Sequence, residues 1–164
     1  LRGLCAGHRD TAALTTTGRF LLPHETQAAL SAAITHANMA VIHRTAASLS
    51  GRGPGLTPSG DDYLAGLMLA LWAIHHPSRR RITETVCRAA EGRTNQISLA
   101  FLRAAARGQM DERWQDLLKS LSLCAGADGD WQTAIRRALT SISAFGATSG
   151  HDMLSGFAAG LQLN

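Results

Sequence analysis

Two stretches of this sequence carry side chains at spacings that can do chemistry. The first is Gly51-Arg52-Gly53-Pro54-Gly55-Leu56-Thr57-Pro58-Ser59-Gly60-Asp61-Asp62. Four glycines and two prolines fix an unusual backbone path just ahead of an apolar helix and leave amides uncovered. Amides at a helix N-terminus, together with the helix dipole, form an anion site. This marks Gly53, Gly55, Thr57, Ser59 and Gly60 as candidate ligand-binding positions. Asp61 and Asp62 are adjacent, so they are not expected to point the same way: one caps the helix, the other is free to bind a metal or orient a ligand. Oxygen ligands of this kind suit Mg²⁺, which takes one or two carboxylates plus ligand phosphate and water. Asp61 and Asp62 are therefore the candidate catalytic and metal-binding residues. The Gly-Lys-Ser/Thr ending of a Walker A loop is absent.

The second stretch is an internal echo of the first. Ser59-Gly60-Asp61-Asp62-Tyr63-Leu64-Ala65-Gly66 and Ser149-Gly150-His151-Asp152-Met153-Leu154-Ser155-Gly156 share Ser-Gly-x-Asp-x-Leu-x-Gly and continue with a large apolar residue. Ser149, Gly150 and Asp152 join the candidate binding positions. A purely structural reading stands beside this one. Ser-x-x-Asp is the spacing of a capping box, with Asp in place of the usual Glu, and Thr57 ahead of Pro58 offers a second capping register. On that reading both segments are helix starts, and Gly66, Gly156 and Gly160 are close-packing positions.

These segments must be held by helices. From Glu25 to Leu49 there is no Pro or Gly, and Leu30, Ile34, Ala37, Val41 and Leu49 recur at helical spacing. Further helices are predicted over about Gly60–Ile74, Ser78–Ala90 and Gln96–Ala106. Others should start at Asp111, run over Trp131–Phe145, and run from Gly150 to about Leu161. Gly108 reads as a helix stop. Residues 1–24 are expected to be a mixed lead-in with a short strand near Thr15–Pro23, the tail of a missing N-terminal region, since the chain begins at Leu1. Residues 25–164 form one helical domain. The expected fold is mainly α, a bundle or array of about seven helices.

Composition narrows the function classes. The 164 residues are 45% apolar, enough for an ordinary core, yet no run is long enough to cross a bilayer. The cysteines Cys5, Cys87 and Cys124 are dispersed and odd in number, which argues for small apolar roles in a reducing, cytoplasmic setting. The formal charge is +4, carried almost wholly by Arg, but the cations are scattered and only eight residues are aromatic. That argues against nucleic acid and for a small anionic ligand. His36 and His43 share a predicted helix face and read as ordinary histidines. His75 and His76 read as imidazolium groups complementing a helix C-terminus. No zinc spacing and no Ser-His-Asp order stands out.

The stretch from Gly53 to Gly66 resembles the hallmark of the AllH-like family of bacterial proteins, which includes a subunit of the oxamate carbamoyltransferase of allantoin breakdown. Thr94-Asn95-Gln96-Ile97-Ser98, followed by Phe101-Leu102-Arg103-Ala104-Ala105, and Gly146 to Gly156 are similar to two further motifs of that family. The resemblance implies transfer of a carbamoyl group between oxalurate and phosphate, giving oxamate and carbamoyl phosphate, in a complex with other subunits. It adds Thr94 and Asn95 to the ligand-binding set. The reading is thus a carbamoyltransferase subunit with an anion or metal site at Gly51–Asp62. The alternative is a non-catalytic phosphate- or nucleotide-binding or assembly subunit.

Overall fold

The computed structural model describes residues 23–123 and 130–163. These form eight helices and no strands. They are α1 (His24–Thr35), α2 (Met39–Leu49), α3 (Ser59–Ala73), α4 (Arg79–Ala90), α5 (Gln96–Ala106), α6 (Glu112–Leu123), α7 (Trp131–Ser143) and α8 (Ser149–Leu161). The lead-in strand expected near Thr15–Pro23 lies almost wholly outside the described residues, as do Cys5 and Cys124.

The extra helix arises because the segment 25–49 is not continuous. Ala37 takes a left-handed backbone with φ 50°, which ends α1. Asn38 then caps α2, its side chain accepting from the Val41 amide at 3.2 Å. His36 falls in this break, so it does not share a helix face with His43. Other starts follow sequence logic: Asp111 accepts from the Arg113 and Trp114 amides, and Asn95 from the Ser98 amide.

Helix α3 is the axis of the molecule. Every residue from Gly60 to Leu71 is buried, which explains why this helix has no polar face. Its main partner is α8; α5, α4 and α2 complete the surround. The α3–α8 contact is made by backbone. A Cβ added at Gly66 would lie 1.8 Å from the Met153 carbonyl oxygen, and one at Gly156 would lie 1.9 Å from that of Tyr63. The two contacts are the same contact seen from either helix, since Tyr63 and Met153 hold equivalent places in the sequence echo. Gly160 meets Leu67 and Ala70 further along, so the two helices run parallel with their N-termini side by side.

The echo extends to the helices that lead in. Gly60 faces the Leu49 carbonyl at the end of α2, and Gly150 faces the Ile142 carbonyl near the end of α7. Each glycine lets its helix start hard against the end of the preceding one. The packing role of these glycines, one of the two sequence readings, is present.

At the far end of α3 the dipole is met differently from the sequence expectation. Burial, and then the Arg79 charge, hold His76 below the usual histidine range, and its Nδ1 accepts from the Ser78 amide at 3.2 Å. The Arg79 guanidinium lies over Trp72 and donates to the carbonyls of His75 and His76 in its place.

Gly66→Ala and Gly156→Ala are each expected to cost about 3 kcal/mol or more, at or beyond the upper end of ordinary overpacking, because carbonyl groups rather than side chains would have to yield. Gly92→Ala meets nothing within 4 Å and should cost only about 1–2 kcal/mol for its left-handed backbone. Urea unfolding of the three variants would show this order.

Candidate functional site

The glycine-rich loop between α2 and α3 is shaped by three left-handed glycines, Gly51, Gly53 and Gly55, with φ of 73°, 114° and 96°. Gly53 also needs its bare Cα, since a Cβ would lie 2.8 Å from the Ser59 amide nitrogen. Gly55 faces open space. Pro58 is the residue that opens α3, and its carbonyl accepts from the amides of Asp61 and Asp62. Neither expected capping register forms. Ser59 is already inside the helix and caps nothing, and the Thr57 hydroxyl turns instead to the Ser149 hydroxyl at 2.8 Å. Helix α8 likewise opens at Thr148 with no side-chain cap.

The two aspartates divide their roles, but not as helix cap and free ligand. Asp61 is 1% exposed and fully engaged. One oxygen accepts from the Gly51 amide at 3.0 Å, and the other from the hydroxyls of Thr94 and of Ser98, the latter at 2.8 Å. One buried carboxylate therefore ties together the loop, the start of α3 and the start of α5. Thr94 belongs to this tie. Asn95 adds a second: while its oxygen caps α5, its Nδ2 donates to the Leu56 carbonyl at 2.8 Å.

Asp62 is different. It is 5% exposed, and its Oδ2 is buried with no hydrogen-bond partner among the described residues. Burial pushes its pKa up to about 6; the hydroxyls of Ser149 and Thr57 pull it down, and the carboxylates of Asp152 and Asp61 push it up. Asp152 is fully buried at the start of α8. The parallel pairing of α3 and α8 thus sets two helix N-termini, two hydroxyls and two carboxylates from the two echoes into one cluster.

The remaining candidates sort by what their amides do. Gly60 donates to the Arg52 carbonyl at 2.9 Å and Gly150 to that of Phe145 at 3.0 Å, so both amides are taken. The amides of Gly53, Gly55, Leu56 and Thr57 meet no acceptor among the described residues. His151 is half-buried on α8. Among the described residues, no three His, Cys, Asp or Glu side chains gather as a metal-ligand set, and Asp61 faces donors rather than a cation. Ser98, unmarked as a site residue from sequence, completes the Asp61 tie. Its signal was its place in the Thr94–Ser98 motif. Two clefts lie elsewhere: one of about 480 Å³ between α6 and α7, and one of about 210 Å³ between α1 and α2. Neither borders the loop. In the first, Arg113 and Lys119 are already paired with Asp111 and Asp116.

The family description "Oxamate carbamoyltransferase subunit AllH" matches residues 49–161. The chain belongs to the AllH family. The match opens at the last residue of α2 and closes at the last residue of α8, so it takes in the loop, both echoes and the Asp61 tie. No solved structure matches the chain. In this AllH-family chain no described helix is long and apolar enough to cross a membrane.

Two outcomes follow from the aspartates. The Asp62 carboxyl holds its proton to higher pH in the folded chain than the ordinary 3.8 of an unfolded one. Between those values the folded state binds more protons, so stability falls as pH rises from about 4 to about 6 and stays reduced above. Asp62→Asn should remove that fall: its melting temperature matches wild type near pH 4 and exceeds it at pH 7.5. Asp61→Asn should do the reverse of the neutral effect expected of an untied carboxylate. An amide facing the Gly51, Thr94 and Ser98 donors costs about 1–3 kcal/mol for each donor left unmatched, read in the same melts at neutral pH.

Proposed function

We propose that this chain is a subunit of a carbamoyltransferase-type enzyme acting on a small anionic substrate, and that the Gly51–Asp62 loop is its anion site. The observation that supports this most is Asp62: a buried carboxyl oxygen without a hydrogen-bond partner among the described residues, in a carboxyl beside the Thr57 and Ser149 hydroxyls. The free amides of Gly53, Gly55, Leu56 and Thr57 take the phosphate or carboxylate of the ligand. The Thr57 and Ser149 hydroxyls lie between that position and the Asp62 carboxyl, whose pKa of about 6 suits exchange of a proton near neutrality. Attack at a carbamoyl carbon builds negative charge on oxygen, and the loop amides, with the field of two adjacent helix N-termini, stabilise it.

In this reading the ligands are oxalurate or oxamate, phosphate and carbamoyl phosphate, and the chain works beside other subunits of the enzyme. Mg²⁺ keeps a narrower place than the sequence suggested. With Asp61 committed to the fold, Asp62 is the residue that would hold the cation, which would supply positive charge against the ligand phosphate. A second reading, a phosphate- or nucleotide-binding or assembly subunit, is favoured by the exposure of the loop, whose residues 52–56 all face solvent.

Thermal unfolding with each of these ligands, with and without Mg²⁺, separates the two. Ligand at a hundred times its dissociation constant stabilises by roughly 2.7 kcal/mol, or about 5–10 °C for a domain of this size. A carbamoyltransferase site gives that shift with carbamoyl phosphate or oxalurate and loses it in Asp62→Asn. A response to phosphate or nucleotide alone, unchanged in Asp62→Asn, supports the binding subunit and overturns the catalytic reading.

A further inference from the structure

Three large apolar side chains stand in solvent among the described residues: Leu56 at 72% exposed, Ile97 at 49% and Phe101 at 51%. Leu56 lies in the glycine-rich loop. Ile97 and Phe101 are one turn apart on the outer face of α5, and exposed Ala100 lies beside them on that face. The Asn95–Leu56 hydrogen bond ties the loop to the N-cap of α5, two residues before Ile97. Exposed apolar residues scattered singly need no explanation, but a contiguous group marks an interface.

The charges at its border indicate what covers it. Arg52 and Arg93 are exposed on either side of Gly51, whose Cα sits against the Arg93 carbonyl. Neither forms an ion pair among the described residues, whose three pairs lie at Arg103, Arg113 and Lys119. Asp61, which accepts from the Gly51 amide, is buried and fully engaged, and Glu91, two residues before Arg93, is paired with Arg103. A second copy of the chain would bring the same arginines against one another, on a chain of net charge +4. Residues 1–22 hold Arg2, Arg9 and Arg19 against the single acid Asp10, so they too carry the wrong sign.

We propose that Leu56, Ile97 and Phe101, bordered by Arg52 and Arg93, dock another subunit of the enzyme through an apolar face with an acidic rim. The inference rests on the subunit character of the family and not on what the loop binds. Because the surface includes the loop itself, docking covers the outer side of the ligand site.

The test is titration of the full chain with the other oxamate carbamoyltransferase subunits, followed by calorimetry and light scattering. Wild type should form a complex. Phe101→Glu and Ile97→Glu should each weaken it at least ten-fold. Arg52→Glu should weaken it several-fold and reduce its salt dependence, while Arg136→Glu, the same charge change on α7, leaves it unchanged. Binding by Phe101→Glu at wild-type affinity, or no complex with wild type, overturns the proposal. So does a wild-type homodimer that Phe101→Glu dissociates, which would name a second copy as the occupant. So does a fall of several degrees in the melting temperature of isolated Phe101→Glu, which would place the chain's own residues on the patch. Ligand-induced thermal shifts are read separately, so failure of docking and failure of the anion site are distinguishable.

Discussion

The rest of this structure depends on the contact of two helix backbones. Helices α3 and α8 approach closely because Gly66 and Gly156 each leave room for a carbonyl of the other helix. Packing side chains do not dictate parallel alignment. It places like dipole ends together, which is electrostatically unfavourable on its own. Two things compensate. The apolar length of α3 is wholly buried in the contact and its surround, and carboxylates sit at the paired N-termini, where the field is positive. The cluster of Asp62, Asp152, Thr57 and Ser149 is thus a direct product of how the helices cross.

The same logic explains why an acid can stay buried here with an unpartnered oxygen. A carboxylate removed from water without full hydrogen bonding is driven toward its neutral form. Two hydroxyls act against that drive, and the balance leaves Asp62 near 6 rather than far above neutrality. Its neighbour Asp61 has the same field but three donors, and it serves the fold. Adjacent residues on one helix face different partners because successive positions are about a hundred degrees apart.

Much of this was legible in the sequence, for identifiable reasons. Helices α3 to α8 follow from apolar spacing and from Gly, Pro, Asn and Asp at their ends. The echo was visible as a string and is a pair of equivalent helix starts in space. Three features were not legible. The break at Ala37 has no glycine or proline to announce it; its backbone is left-handed at an ordinary alanine. The capping registers failed because Ser59 lies inside α3, and because Thr57 and Ser149 meet each other across the helix pair, a partnership between residues 92 positions apart that local spacing does not encode. The roles of Asp61 and Asp62 depended on which one faced Thr94 and Ser98, and that is set by where α5 docks.

The glycine contacts also restrict motion. A side chain that packs against another can change rotamer and let helices slide or rotate by small steps. At Gly66 and Gly156 each Cα is wedged against a carbonyl, and the two wedges oppose each other along the same pair of axes. Sliding in either direction drives one of them into backbone. The α3–α8 pair therefore has a single register and behaves as one rigid body, and any opening or closing over the site must come from the loop ahead of it.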